Sequence, residues 1–440
     1  MLILIALILI IVIGFYILTK DKNKLNKDII NKIKDEDIDG NKEKINIIHI
    51  SDIHYLSMKL TDYKGSFFEK VEKNDGKTVR YIDKIMDAFI LEMIKVNPDL
   101  IIVSGDLTYK GEKESHDEFA KKLKILKDKN ISVVVLPGNH DIDSNSAKRY
   151  IGDEEESVES VTIEDFKNIY SDFGYGESSR IIGRDKDSLS YMYRLNSYIN
   201  ILMLDTSTDN NKGYISNSTY KWIEKMLKSA KSNNETTISV THQNILAHNK
   251  IFLSGYVIKN GTKMVDLMNK YNVRLNLSGH MHLQHISESK GVYDVAVGTI
   301  AMYPNLYGDI TVDMRKNITY EAKSLAVGYW MRKYGTEDEN LINFEEYSKN
   351  SFMKVSKNQS EFILQNEEIS DNELEKMVNF LADTSLSYFS GEMNIHPELS
   401  TESDGYKLWQ KYYEKHFIAT YLNSIYLETP KDQKNLKIEL

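Results

Sequence analysis

Apolar residues recur with two different periods between Ile45 and Ala322. Short runs rich in β-branched residues, Ile45 to Ile50, Leu100 to Val103, Val133 to Leu136, Ile199 to Leu204, Ile238 to Val240 and Leu275 to Leu277, are bounded by turn residues and read as buried strands. Between them lie helical faces: Ile82, Ile85, Met86, Phe89 and Met93; Phe119, Leu123 and Leu126; Trp222, Ile223 and Met226. Val292 to Val297, Asp309 to Asp313 and Ile318 to Ala322 read as antiparallel strands closing the sheet. The alternation predicts an α/β chain, two sheets packed face to face with helices outside.

After Tyr329 the pattern turns helical. Ser370-Asp-Asn-Glu373 has the form of a capping box, and Leu374, Met377, Val378 and Leu381 follow at helical spacing. Trp409, Tyr412, Tyr413, Phe417 and Tyr421 form an aromatic stripe, expected to pack against the catalytic part. Residues 45–328 are read as the catalytic domain and 329–440 as a smaller helical domain.

At the other end, Leu2 to Leu18 is unbroken by charge or proline, a length that just spans a bilayer core. Residues 1–19 read as a transmembrane anchor; a cleaved signal segment is the alternative, disfavoured because Met1 alone precedes the apolar run and no small-residue site follows it. Residues 20–44 read as a flexible polar tether. Its lysines, Lys20 to Lys34, place the catalytic part in the cytoplasm by the positive-inside rule, with export of the large downstream domain as the alternative.

Composition narrows the chemistry. Across 440 residues, 56 basic and 65 acidic side chains give a net charge of -9. The soluble part has no strongly basic block, which argues against a nucleic-acid partner. Cysteine is absent, so there is no disulfide framework and no thiolate zinc site, and any metal must sit on His, Asp and Asn.

Such residues cluster in short motifs, each just after a strand-like run: Asp52-Ile-His54, Gly105-Asp106, Gly138-Asn139-His140-Asp141, His242 and Gly279-His280-Met281-His282. On an extended backbone Asp52 and His54 point the same way, so both could reach one cation. Asp106 follows a glycine that lets the chain turn sharply, and a carboxylate can bridge two cations where imidazole cannot. Asn139 follows a Pro-Gly turn and offers an amide oxygen suited to a hard or borderline divalent ion. Any one of these could be an ordinary turn or capping residue. Their joint placement at strand ends, in a chain with 11 histidines, points to two divalent cations held side by side.

In the order and spacing of these motifs the chain resembles the calcineurin-like metallophosphoesterase superfamily, whose signature reads D-x-H, G-D, G-N-H-D/E, H and G-H-x-H, over residues 45 to about 325. The resemblance implies that Asp52, His54 and His282 hold one metal, that Asn139, His242 and His280 hold the other, and that Asp106 bridges them. His140 would stay outside the coordination sphere, contact the scissile phosphate and protonate or stabilise the leaving oxygen; imidazoles ionise near neutral pH, which suits that task. Two cations about 3.5–4 Å apart would activate a shared water for in-line attack on phosphorus. Mn, Fe, Zn and Co all suit such ligands. Asp141 either orients His140 or a ligating imidazole, or simply starts a helix.

The helical C-terminal extension, the membrane-proximal start, Asn74-Asp-Gly-Lys77 and Thr241-His-Gln-Asn244 running on to His248 resemble bacterial class III cyclic-nucleotide phosphodiesterases. This implies a phosphodiesterase with 3',5'-cyclic nucleotide as the expected small-molecule substrate. Phosphomonoesters or membrane lipid phosphates are the alternative within the same superfamily, and a membrane-tethered metal-binding scaffold without turnover is a second. Gln243 stands where such proteins often carry histidine, a departure that bears on phosphate contacts and not on metal binding. The polar stretch Tyr55 to Arg80 is either a rim over the metals, with Tyr55, Lys59 or Tyr63 near substrate, or a plain surface loop. His248 and Tyr303 follow motif-bearing strands and are candidate substrate contacts.

Overall fold

In this computed structural model, residues 44–73, 75–208, 212–427 and 431–439 are described. The expected anchor, and all of the tether but Lys44, lie outside them; no helix among the described residues is long and apolar enough to cross a membrane.

Two sheets form a sandwich. One has the order β15-β14-β13-β1-β2-β3, built from β1 (Ile45–Ile50), β2 (Leu100–Ser104), β3 (Ser132–Leu136), β13 (Leu306–Val312), β14 (Ile318–Ser324) and β15 (Asn435–Ile438). The other has the order β11-β12-β10-β9-β8-β7-β6, from β6 (Ile181–Arg184), β7 (Tyr191–Arg194), β8 (Ile199–Leu204), β9 (Thr236–Thr241), β10 (Leu275–Ser278), β11 (His285–Ser289) and β12 (Val292–Ala296). A separate hairpin, β4 (Lys148–Ile151) with β5 (Glu154–Ser157), stands outside both.

The strands are apolar on both faces because both are covered. Ile47, Leu100, Ile102, Val134 and Ile310 meet Ile201, Met203, Ile238, Val240 and Leu277 in the middle of the sandwich. Ile48, Ile50, Ile101 and Val103 face the other way, onto α1 (Ile82–Val96) and α2 (Lys113–Lys127). Leu202 and Leu204 face α3 (Asn217–Ser232) and α4 (Gly261–Lys270). This is the α/β arrangement that the two periodicities predict.

Three expectations change. The run Val292 to Val297 does not join the strands at 309–322: as β12 it pairs antiparallel with β11 and parallel with β10, in the other sheet. The tight turn after β11 returns the chain immediately, and that hairpin keeps it beside β10. The C-terminal region carries α5 (Val327–Tyr334), α6 (Phe344–Leu364), α7 (Asp371–Phe389), α8 (Asp404–Gln410) and α9 (Phe417–Ile425), but it ends in β15, which pairs with β14 and extends the catalytic sheet. Ser370 caps α7 as its motif predicts, accepting from the Glu373 N–H. The aromatic stripe is split, because the chain leaves helix between α8 and α9. Trp409 is buried inside the helical region, donating to the Met377 carbonyl at 2.8 Å, Tyr421 reaches Phe252 of the catalytic part, and Tyr413 and Phe417 are exposed.

Candidate metal centre

All five motifs sit at carboxyl ends of strands: Asp52 after β1, Asp106 after β2 and Asn139 after β3 in one sheet, His242 after β9 and His280 after β10 in the other. The site therefore straddles the edge of the sandwich. The backbone there is not extended, contrary to the simple picture for Asp52 and His54. Asp52, His54, Asp106, His280 and His282 all have positive φ, between 47° and 68°, a conformation that costs a non-glycine residue about 1–3 kcal/mol and clusters at functional sites. Loop-to-loop hydrogen bonds hold it: Asp52 N–H to the Gly105 carbonyl, His54 N–H to that of Asp106, and Gly279 N–H to that of His242.

The donors converge in two groups sharing one member. Ligating atoms of Asp52, His54, Asp106 and His282 lie within 4.8 Å of one another, and so do those of Asp106, His242 and His280. Asn139 Oδ1 is 3.1 Å from His242 Nε2, which places the amide in the second group. His242 Nδ1 faces the Ser104 carbonyl at 2.9 Å, a bond that keeps the proton on Nδ1 and leaves Nε2 free as a ligand. His280 Nε2 likewise faces the Gly255 carbonyl at 3.0 Å. His140 stands apart: its backbone N–H donates to Asp106 Oδ1 at 2.9 Å, while its side chain is 42% exposed with Nε2 3.9 Å from Asp106 Oδ2.

Electrostatics favour cations here. Asp52 Oδ1 is buried and makes no hydrogen bond, with the His282 imidazole facing it at 3.3 Å, a state that is costly unless positive charge compensates it. Burial alone would favour neutral Asp106, but His242 beside it holds its carboxyl well below the usual range. Burial opposes charge on His242, yet Asp106 pushes it up to about 9, a measure of the negative field that a bound cation would take over. Burial, with the nearby Lys77 ammonium, keeps the His54 imidazole neutral. The donor set fits two divalent ions.

Several supports had little or no signature in the sequence. Asp141 directs its carboxylate to neither His140 nor a helix start: it accepts from the N–H groups of Leu107, Thr108 and Gly138 at 2.7–3.1 Å, tying the Asp106 loop to the Asn139 loop. Asp294, a lone acid within an apolar strand, accepts from Ile245, Leu246, Asn276 and Ser278 and so braces the loops after β9 and β10. Thr299 donates to the Asp52 carbonyl at 2.7 Å. A Cβ on Gly279 would lie 1.9 Å from Ser51 Oγ and 2.5 Å from Asp52 Oδ2, so only glycine lets these loops touch.

Other candidates are not among the donors. His248 is buried, 3.4 Å from Asp294 Oδ2 and 3.0 Å from His285 Nδ1, because Asp294 draws the preceding turn inward. Tyr303 is half-buried in the loop before β13, close enough to Glu392 to feel its charge. Gln243 accepts from the hydroxyls of Thr206 and Ser207 and is turned away from the cluster. In the 55–80 stretch, Tyr55 is buried and donates to Asp83, Lys59 pairs with Glu114 and Glu118, and Tyr63 packs on Phe67 and Arg80. What this segment brings near the centre is Lys77, and Tyr109 adds an aromatic edge to His54 at 6.4 Å.

A two-sheet sandwich with a shared-carboxylate site for two cations at its edge defines a binuclear metallophosphoesterase. A family model for calcineurin-like phosphoesterases matches residues 45–284, and one for the C-terminal domain of cyclic nucleotide phosphodiesterase matches residues 326–432. The chain belongs to the calcineurin-like phosphoesterase family. It is 25% identical over 316 residues to a probable glycerophosphodiester phosphodiesterase of Arcobacter nitrofigilis, covering 68% of this chain and 92% of that one. It is 24% identical over 250 residues to a 3',5'-cyclic-nucleotide phosphodiesterase of Nostoc sp., covering 57% of this chain and 76% of that one. The crystal structure of a dimetal phosphatase from Danio rerio superimposes with a TM-score of 0.45 at 12% identity, covering 64% of this chain and 96% of that one.

Proposed function

We propose that this enzyme hydrolyses phosphodiesters, with 3',5'-cyclic nucleotides as substrate. The observation that carries the reading is the succession, in one chain, of the phosphoesterase match and the match to a C-terminal domain described for cyclic nucleotide phosphodiesterases. Asp52, His54 and His282 are proposed to hold one cation, and Asn139, His242 and His280 the other, with Asp106 shared. When bound, two divalent cations supply Lewis acidity and a water ionised near neutral pH. The chain contributes the rest. The Ser104 carbonyl fixes the tautomer of His242, the buried Asp52 and Asp106 carboxylates give the site its negative charge, and the half-exposed His140 would protonate or stabilise the leaving oxygen. Residues 1–19 are proposed as a membrane anchor with the catalytic part on the cytoplasmic side; activity of an export-dependent reporter fused after Lys34 would overturn that orientation.

The test of substrate is a panel on the purified full chain with Mn²⁺: cyclic AMP, a glycerophosphodiester, a chromogenic diester and a phosphomonoester. Cyclic AMP is expected to show the highest kcat/KM. The relative named as a glycerophosphodiester phosphodiesterase makes that diester the chief competitor. Faster turnover of it, or of the monoester, would overturn the cyclic-nucleotide reading.

A further inference from the structure

The Gly279-His280-Met281-His282-Leu283 segment serves two sides at once. His280 and His282 face the metal cluster, while Met281 and Leu283 are buried in the helical core with Trp409 and Leu422. Beside this segment, the loop from Asn249 to Val257 joins the same two parts. Asn249 donates to the hydroxyls of Tyr388 and Ser424 at 3.1 and 2.9 Å, pinning the loop to α7 and α9. Its other end reaches the site, where the Gly255 carbonyl meets His280 Nε2 and the Tyr256 ring lies 5.3 Å from the His280 ring.

From Tyr256 an aromatic run leads outward. Tyr256 packs on Phe252 at 5.1 Å, and Phe252 on Phe417 of α9 at 6.2 Å. Phe417 is 66% exposed and Leu253 51% exposed. The run begins at a proposed metal ligand and is completed by the C-terminal helices. We propose that this ledge, Tyr256, Phe252, Leu253 and Phe417, binds the nucleobase of the substrate while its phosphate lies at the metal centre. The proposal rests on the cyclic-nucleotide reading. In a nucleotide, only a ribose separates the charged phosphate from a planar, weakly polar base; here Tyr256 adjoins the charged site, and Phe252 and Phe417 continue the apolar face outward from it. Stacking on aromatic faces tolerates any base, so the ledge would take purines and pyrimidines alike.

The experiment compares cyclic AMP with ribose 3',5'-cyclic phosphate lacking the base, on the Mn²⁺-loaded full chain and its Phe417→Ala, Phe252→Ala and Phe417→Trp variants. Wild type is expected to favour cyclic AMP by about tenfold or more in kcat/KM, chiefly through KM. Phe417→Ala and Phe252→Ala should shrink that preference several-fold, and Phe417→Trp should retain it. Because Phe417 is exposed, its truncation tests the contact without disturbing the core. Equal efficiency on both compounds in wild type overturns the ledge and leaves the cyclic-nucleotide reading standing. A preference unchanged in both alanine variants overturns the ledge, and if sedimentation changes in those variants as well, the apolar face belongs to a second copy of the chain. Turnover of neither compound overturns both readings.

Discussion

The Nε2 atoms of His54 and His282 lie 3.0 Å apart, with Asp106 Oδ2 3.8 Å from the first and Asp52 Oδ1 3.3 Å from the second. These four donors of one group converge closely enough for one cation to engage them together. Cation binding to the folded state alone stabilises it, by about 2.7 kcal/mol at a hundredfold excess over Kd. Chelation should therefore lower the melting temperature by several degrees, and Mn²⁺ should restore it. Identical melting of stripped and reloaded protein would count against the site.

Asp106 and His140 touch one another but are expected to fail differently. Asp106 belongs to both donor groups, so Asp106→Asn should strip both cations as measured by metal analysis. His140 bonds that carboxylate through its backbone N–H and its imidazole belongs to neither donor group, so His140→Ala should keep the metals while turnover falls about 10²–10⁴-fold. Metal loss in His140→Ala would place it in the coordination sphere instead.

The donors were legible because histidine is rare, 11 in 440 residues, and each donor stands just beyond an apolar run, where a chain leaving a buried strand must turn. Their supports were not, because they act across loops distant in sequence: Asp141 reaches back to Leu107, and Asp294 to Ile245. His248 follows a motif-bearing strand but is turned inward by that second contact, a tertiary event that no local pattern encodes. Helices α1, α2, α3 and α7 declared themselves through an apolar face. The strand β15 has only Leu436 and Ile438 to mark it, and its place beside β14 depends on pairing with residues more than 100 positions away.

Asp141 is a positioning residue. Its two oxygens accept three backbone N–H groups and the Thr108 hydroxyl, so Asp141→Asn would turn an amide toward N–H donors. A loss of about 1–3 kcal/mol in stability is expected, with metal affinity weakened about 10–100-fold as the Asp106 and Asn139 loops loosen. Competition against a metal-sensitive dye and thermal melting read the two effects separately. Unchanged affinity would confine Asp141 to folding.

Glu112 provides a pH test on a group outside both donor sets. It is fully buried at the start of α2, one carboxylate oxygen has no partner, and burial pushes its carboxyl up from 4.5 to about 7. Below about pH 4.5 the group is neutral in folded and unfolded chains alike and has no effect. Between about 4.5 and 7 it ionises only when unfolded, so the unfolded chain binds fewer protons and stability falls as pH rises; above about 7 the loss is complete. Glu112→Gln, which never ionises, should escape this loss, gaining on wild type across that window by on the order of 3 kcal/mol at pH 8. Denaturant melts of both proteins at pH 5 and pH 8 measure the difference. A gap independent of pH would show that the carboxyl is not held protonated by burial.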